Sequence, residues 1–166
     1  MNKELEEIKE VNEEVKSESN ELVVSGFNNI QSASKTEKKY YTTIDLSDTK
    51  KLYNLDNGDM NHLLNDCEGQ SIRVMDVLIK EFKHELDEAK VNEETGELIE
   101  YEIKKVCILI DDVGETYVTA SKMFTNQMKR YIAMFGSDSI KSGLEIKIVK
   151  KKMANSNNKA LAFELI

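Results

Sequence analysis

A chain of 166 residues, 40% of them apolar, is long enough for one domain with an ordinary core, and its formal charge of -8 does not by itself suggest a nucleic-acid-binding protein. The two cysteines, Cys67 and Cys107, lie far apart and outside any C-x-x-C pair, which argues against a disulfide framework or a zinc site and fits a reducing, cytoplasmic location. No apolar run approaches bilayer-spanning length, and the N-terminus opens with charges rather than an apolar signal core.

Residues 1–21 carry eight glutamates against three lysines, with Leu5, Ile8, Asn12 and Val15 at three- and four-residue steps. Such a helix is marginal unless something covers its thin apolar stripe. Residues 25–39 lose that period and gather Ser, Asn and Lys, so residues 1–39 read as an acidic flexible leader, either without a role or an acidic interaction tail. Residues 40–46 alternate around Thr42, Ile44 and Leu46 as an extra N-terminal strand, and a short helix is expected over 59–65. In residues 72–83 the apolar positions change phase at Met75 and Asp76. A β-bulge there puts Ile72, Val74, Val77 and Ile79 on one face of a bent strand. Residues 84–99 are acidic and turn-rich, and read as a long hairpin loop with Thr95 and Gly96 at its tip.

Residues 106–110 form a continuous apolar run, closed by Asp-Asp-Val-Gly and followed by the β-favouring Thr116 to Thr119, which predicts a hairpin turning at Gly114. Ser121 then precedes Met123, Phe124, Met128, Tyr131, Ile132 and Phe135 at helical spacing, and Gly136 stands where a helix terminates. Leu144, Ile146 and Ile148 alternate on a further strand, 150–159 is a basic Asn- and Ser-rich loop, and Leu161, Phe163 and Leu165 alternate on the last strand. Taken in order, these elements give a β-rich protein with an OB-fold over residues 40–166. That fold is a five-stranded Greek-key barrel with one helix between strands 3 and 4, here over 73–83, 101–111, 115–119, 121–135, 144–152 and 160–166.

The run from YYTTIDL through VCILIDDVGETYVTASKMFTNQMKRYIAMFG to LEIKIVKKK and NNKALAFELI resembles the small single-stranded DNA-binding proteins of phages and mobile elements of Gram-positive bacteria. In that family a strand ending in Ile-Asp, a Gly turn, Y-x-T-x-S-x-x-F and a helix ending in Phe-Gly recur in this order. Bacterial single-stranded DNA-binding proteins place an acidic partner-recruiting tip at the C-terminus, whereas this chain ends Phe163-Glu164-Leu165-Ile166 and carries its acid at the other end. The resemblance implies a non-catalytic protein that coats single-stranded DNA during phage-type replication, with replication proteins such as a DNA polymerase as further candidate partners and no cofactor or metal.

The charge pattern supports that function. Residues 119–166 hold nine Lys and Arg against three acids, a balance of +6, and backbone tracking needs such a segregated basic region. Arg73, Lys80, Lys104, Lys105, Lys122, Lys147, Lys150, Lys151 and Lys152 are the candidate phosphate contacts. If Val106, Ile108 and Ile110 point inward, Lys105, Tyr101, Tyr117 and Thr119 point outward, so Tyr101 and Tyr117 are the expected base-stacking rings, with Phe82 beside Lys80 extending the track. Each of these also has a plainer reading, as a solvated basic hairpin, an edge-shielding tyrosine or a core phenylalanine. The glutamate-rich leader is expected to compete for the groove until DNA displaces it.

Two rival classes remain. Residues 36–118 carry twenty acids against ten bases, a balance of -10 that suits an acidic adaptor or a mimic of DNA. Asp111 and Asp112 end a strand, a common place for magnesium carboxylates in a nuclease, although Asp beside a Gly turn is ordinary turn chemistry. His62 and His84 have no neighbour in sequence that suggests a nucleophile or zinc site.

Overall fold

The computed structural model describes residues 28–31 and 38–166. In chain order the elements are β1 (Asn28–Gln31), β2 (Lys38–Thr42), α1 (Thr49–Asn57), β3 (His62–Leu63), β4 (Ser71–Val91), β5 (Leu98–Asp111), β6 (Thr116–Thr119), α2 (Lys122–Phe135), α3 (Asp138–Lys141), β7 (Leu144–Lys152) and β8 (Lys159–Leu165). The chain is β-rich, and its strands form one open sheet in the order β1-β2-β4-β5-β6-β3, with β7 pairing β4 and β8 pairing β7.

Strand β4 is the spine. Its register with β5 runs from Val74 opposite Asp111 to Asp76 opposite Ile110, which leaves Met75 as the bulged residue. The expected phase change is therefore present, and Ile72, Val74, Val77 and Ile79 are all buried. The bulge also divides the other edge of β4. Before it, Ser71–Val74 pair with β7; after it, Leu78–Phe82 pair with β2.

The sheet is covered on both faces. Val77, Ile79, Cys107 and Leu109 pack with Phe124, Met128 and Ile132 of α2 and with Ile148 and Phe163. On the opposite face Leu78, Ile108 and Ile110 pack with Ile44 and Leu55, and α1 lies over them. This is why residues 106–110 are apolar without alternation, as strands buried on both faces generally are.

Among the described residues β6 and β8 do not pair with each other, so the sheet does not close through backbone bonds. Helix α2 spans the gap. The Gln127 amide donates to the Phe163 carbonyl at 2.6 Å and accepts from the Phe163 N–H at 3.0 Å, as a neighbouring strand would, and the Ser121 hydroxyl donates to the Leu161 carbonyl at 3.1 Å. The same hydroxyl accepts from the Phe124 N–H and caps the helix, as expected. Gly114 turns the β5–β6 hairpin with φ 87°.

Several expectations are corrected. Residues 28–31, read as linker, pair with β2 as strand β1. The strand expected over 40–46 ends at Thr42, where Val77 takes over the bonding: the Thr42 hydroxyl donates to its carbonyl and the Thr43 hydroxyl accepts its N–H. The helix expected over 59–65 lies at Thr49–Asn57, capped by Asp48 and ended at Gly58, and residues 62–66 form β3 and a short 3-10 turn. The loop expected over 84–99 is a two-stranded ribbon in which only residues 92–97 turn, with Gly96 at φ 70°. Cross-strand pairing overrides the poor strand preference of its glutamates. Residues 1–21 lie outside the described residues.

Gly136 ends α2 at φ 80° and ψ 166°, a region that is essentially glycine-only, and nothing surrounds a Cβ built there. Gly136→Ala should therefore act through the backbone alone and lower stability by about 1–3 kcal/mol. The urea midpoint should fall with an unchanged m-value.

Candidate nucleic-acid interface

Along β5 one face carries Ile99, Tyr101, Ile103, Lys105, Cys107 and Leu109, since side chains alternate and the strand is regular. Cys107 and Leu109 are core, whereas Ile99, Tyr101 and Ile103 stand on the ribbon beyond it and are exposed, Tyr101 by 46%. The β4 residues opposite them are Lys90, Glu85 and Lys83. The Lys83 ammonium sits over the Tyr101 ring at 4.3 Å from its centre, a cation–π contact. This face of the ribbon thus has one exposed ring among Lys83, Lys90 and Lys105, with Glu85 opposite the ring and Glu81 opposite Lys105.

Helix α2 extends the same surface. Lys122, Asn126 and Lys129 are spaced four and three residues apart and share one side of the helix. Lys105 donates to the Asn126 side-chain oxygen Oδ1 at 3.1 Å, and both Lys105 and Lys129 pair with Glu81. Lys129 also lies 4.2 Å from the centre of the Tyr41 ring. Burial first, and then the charge and hydrogen bond of Glu81, push the Tyr41 hydroxyl up to about 12.

The β7–β8 hairpin completes it. Ile148, Leu161 and Phe163 face the core, so Lys150, Lys152 and Lys159 share their side and project past it. Lys150 pairs with Glu68 at 3.1 Å. The Ser121–Leu161 bond sets the start of α2, and with it Lys122, against this hairpin. Lys105 shares a face of β5 with Tyr101 and reaches Asn126 of α2, and the start of α2 is bonded to the β7–β8 hairpin, so these lysines lie on consecutive elements of one side.

The remaining candidates point elsewhere. Lys80, Phe82 and Lys104 occupy the opposite face of the ribbon, where Lys80 pairs with Asp56 of α1 at 2.9 Å and Lys104 approaches Glu102 at 3.7 Å. Arg73 is opposite Glu145 on the outer side of β4, over Gly143. Lys147 is opposite Glu164, and Lys151 pairs with Glu164 at 3.5 Å, both on the outer side of the hairpin.

Tyr117 is not a stacking platform. It does share a face with Tyr101 and Lys105, but opposite Leu109 that face is the main core, and Tyr117 is only 9% exposed. Its hydroxyl donates to Asp111 at 3.1 Å, its ring stacks on His62 at 4.8 Å, and burial followed by the Asp111 hydrogen bond pushes it up to about 12. Thr119 is buried on the same side, while Val106, Ile108 and Val118 belong to the smaller core under α1. Lys83, Lys90, Lys129 and Lys159 were not among the expected phosphate-binding residues. Their parity with Tyr101, their helical spacing from Lys122 and the pairing of Lys159 with Lys152 were the available signals.

A cleft of about 800 Å³ lies between α1 and the Asp111–Gly114 turn, lined by Leu55, Met60 and Ile110 and by Asp48, Asp59, Asp76, Asp111 and Asp112 against Lys50 and Lys51. The excess of carboxylates disfavours phosphate there. Asp111 is occupied by the Val113 and Glu115 N–H groups and by Tyr117, and among the described residues no three His, Cys, Asp or Glu gather as a metal set. No described helix is long and apolar enough to cross a membrane.

A β-rich scaffold that exposes a ring along a lysine track has the surface of a protein that binds unpaired nucleic acid. The chain matches the family of phage single-stranded DNA-binding proteins of the Phi29 type over residues 32–166, and it belongs to that family. No curated protein and no solved structure matches it. Its function is to bind single-stranded DNA in phage replication.

Tyr41 and Tyr117 stay protonated in the fold to about pH 12, against an ordinary value of 10.0. Above pH 10 the unfolded chain releases these protons first, so their contribution to stability is intact below pH 10 and is lost as pH rises towards 12. Thermal melts across that window should show a steep fall, and a Tyr41→Phe, Tyr117→Phe variant should show a shallower one.

Proposed function

We propose that single-stranded DNA runs along the track from Lys150, Lys152 and Lys159, past Lys122, Asn126 and Lys129, to Lys105, Lys83 and Tyr101. The chain coats the strand without reading its sequence, because phosphate contacts and stacking on one ring tolerate every base. The observation that carries this reading is the exposed Tyr101 ring with Lys83 over it, on the face of β5 whose Lys105 reaches α2, the helix bonded in turn to the β7–β8 hairpin.

The strand arrangement supports an OB-fold built from β4, β5, β6, α2, β7 and β8. β4 pairs with β5 and β7, β6 with β5 and β8 with β7, and the helix follows the third of these strands and stands in for the missing β6–β8 pairing. In this assignment β1, β2, α1 and β3 are additions that cover the outside of the sheet. DNA is thereby directed to the strand extensions and to α2, and the DNA-binding domain begins with the N-terminal strands rather than at residue 40.

Fluorescence titration with short dT oligonucleotides tests the reading. Tyr101→Ala should weaken binding by about 1–3 kcal/mol, the usual value of one stacked base. Lys150→Ala with Lys152→Ala should flatten the dependence of log K on log salt by about 0.7 for each phosphate no longer neutralised. Lys104→Ala should leave that slope unchanged. Equal effects from Lys104→Ala and from the hairpin pair, or wild-type affinity in Tyr101→Ala, would overturn the proposed path.

A further inference from the structure

Glu81 sits in the middle of the proposed track and has the wrong sign for it. It lies on β4 opposite Lys105 of β5 and Lys39 of β2, and its side chain is only 13% exposed. Two ammonium groups share it: Lys129, in a close ion pair, and Lys105, at 3.7 Å. The Tyr41 hydroxyl makes a further hydrogen bond to it, while the Tyr41 ring carries Lys129 on its face. Both lysines are partly covered, with side chains 24% and 20% exposed, so the carboxylate holds them in fixed positions rather than leaving them to swing in solvent.

We infer that Glu81 is a positioning residue that acts as an internal counterion, holding Lys105 and Lys129 aligned while halving the positive charge this part of the track offers to DNA. The inference rests on the DNA path proposed above. With Glu81 ionised, the pair of lysines carries a net charge of +1 and neutralises one phosphate; with a neutral side chain there, it would neutralise two. A phosphate approaching Lys105 or Lys129 competes with a carboxylate already in place, so the grip is weaker and less dependent on salt than the number of lysines suggests. A protein that must coat a strand and then be stripped from it for copying needs such restraint.

Glu81→Gln keeps the shape and the hydrogen-bond acceptor for Tyr41 and removes the charge. In titrations of a dT oligonucleotide against salt, its log K slope should be steeper than wild type by about 0.7, the increment for one additional phosphate on a single strand. Equivalently, its affinity relative to wild type should fall about 2.6-fold between 50 and 200 mM salt. Glu81→Asp, which keeps the charge, should restore the wild-type slope. Lys129→Met, which leaves Glu81 with one lysine, should move the slope in the opposite direction and serves as a separate test should Glu81→Gln fold poorly. A wild-type slope in Glu81→Gln combined with a shallower one in Lys129→Met overturns the counterion role but leaves the DNA path standing. Unchanged slopes in both variants place the cluster off the DNA path and overturn both.

Discussion

The bulge at Met75 is the constraint on which the rest of the architecture depends. A strand as long as β4 has one free edge opposite β5, and the bulge allows that edge to serve two neighbours, β7 before it and β2 after it. The twist that accompanies a bulge turns those neighbours away from each other. β7 then leads into β8 and closes over α2, while β2 leads into the segment that folds α1 onto the opposite face. Once both faces are buried at the centre of the sheet, no flat outer surface remains there for bases. What stays available is the part of each strand that outruns the core, and the lysines and the exposed tyrosine are found on those parts.

Period-two alternation then sorts the charge. On β5 beyond the core, Tyr101 and Lys105 fall on one face and Glu100 and Glu102 on the other, while β4 adds Lys83, Lys90, Glu81 and Glu85 to the first face, so the ribbon's glutamates are only partly sorted from its lysines. The overall charge of -8 therefore says little about partners. Screening limits the reach of a surface charge to roughly 8–10 Å at ordinary ionic strength, so what a phosphate meets is set by local charges rather than by the net charge of the chain. The acidic cleft beside α1 lies on the opposite face of the sheet.

The parts of the fold legible in the sequence are those whose signals are local. The hairpin at Gly114, the capped helix from Ser121 to Gly136 and the phase change at Met75 each rest on a few neighbouring residues, and each is present. What could not be read depended on distant neighbours. Residues 106–110 are apolar at every position because two separate cores claim alternate side chains, so their pattern holds no information about which face is outside. That ambiguity is why Tyr117 reads as a partner to Tyr101. The two rings do share a face, and only the position of the core boundary along β5, set by α2, decides that one is exposed and the other buried. The helix at Thr49–Asn57 was obscured for a similar reason. Its burial is confined mainly to Leu55, with Leu52 partly covered, too sparse an apolar stripe to reveal a helix without the sheet beneath it.

Helix α2 joins folding to binding. Its inner side carries Phe124, Met128 and Ile132 into the core, Gln127 supplies the hydrogen bonds that β8 lacks on its open edge, and its outer side presents Lys122, Asn126 and Lys129. Because the same fourteen residues close the seam and bridge the two groups of lysines, the track exists only in a chain whose helix has docked. Glu81 strengthens that dependence. It pairs Lys129 of the helix with the spine strand β4, so one carboxylate helps to seat α2 and also offsets one of the charges that the seated helix presents.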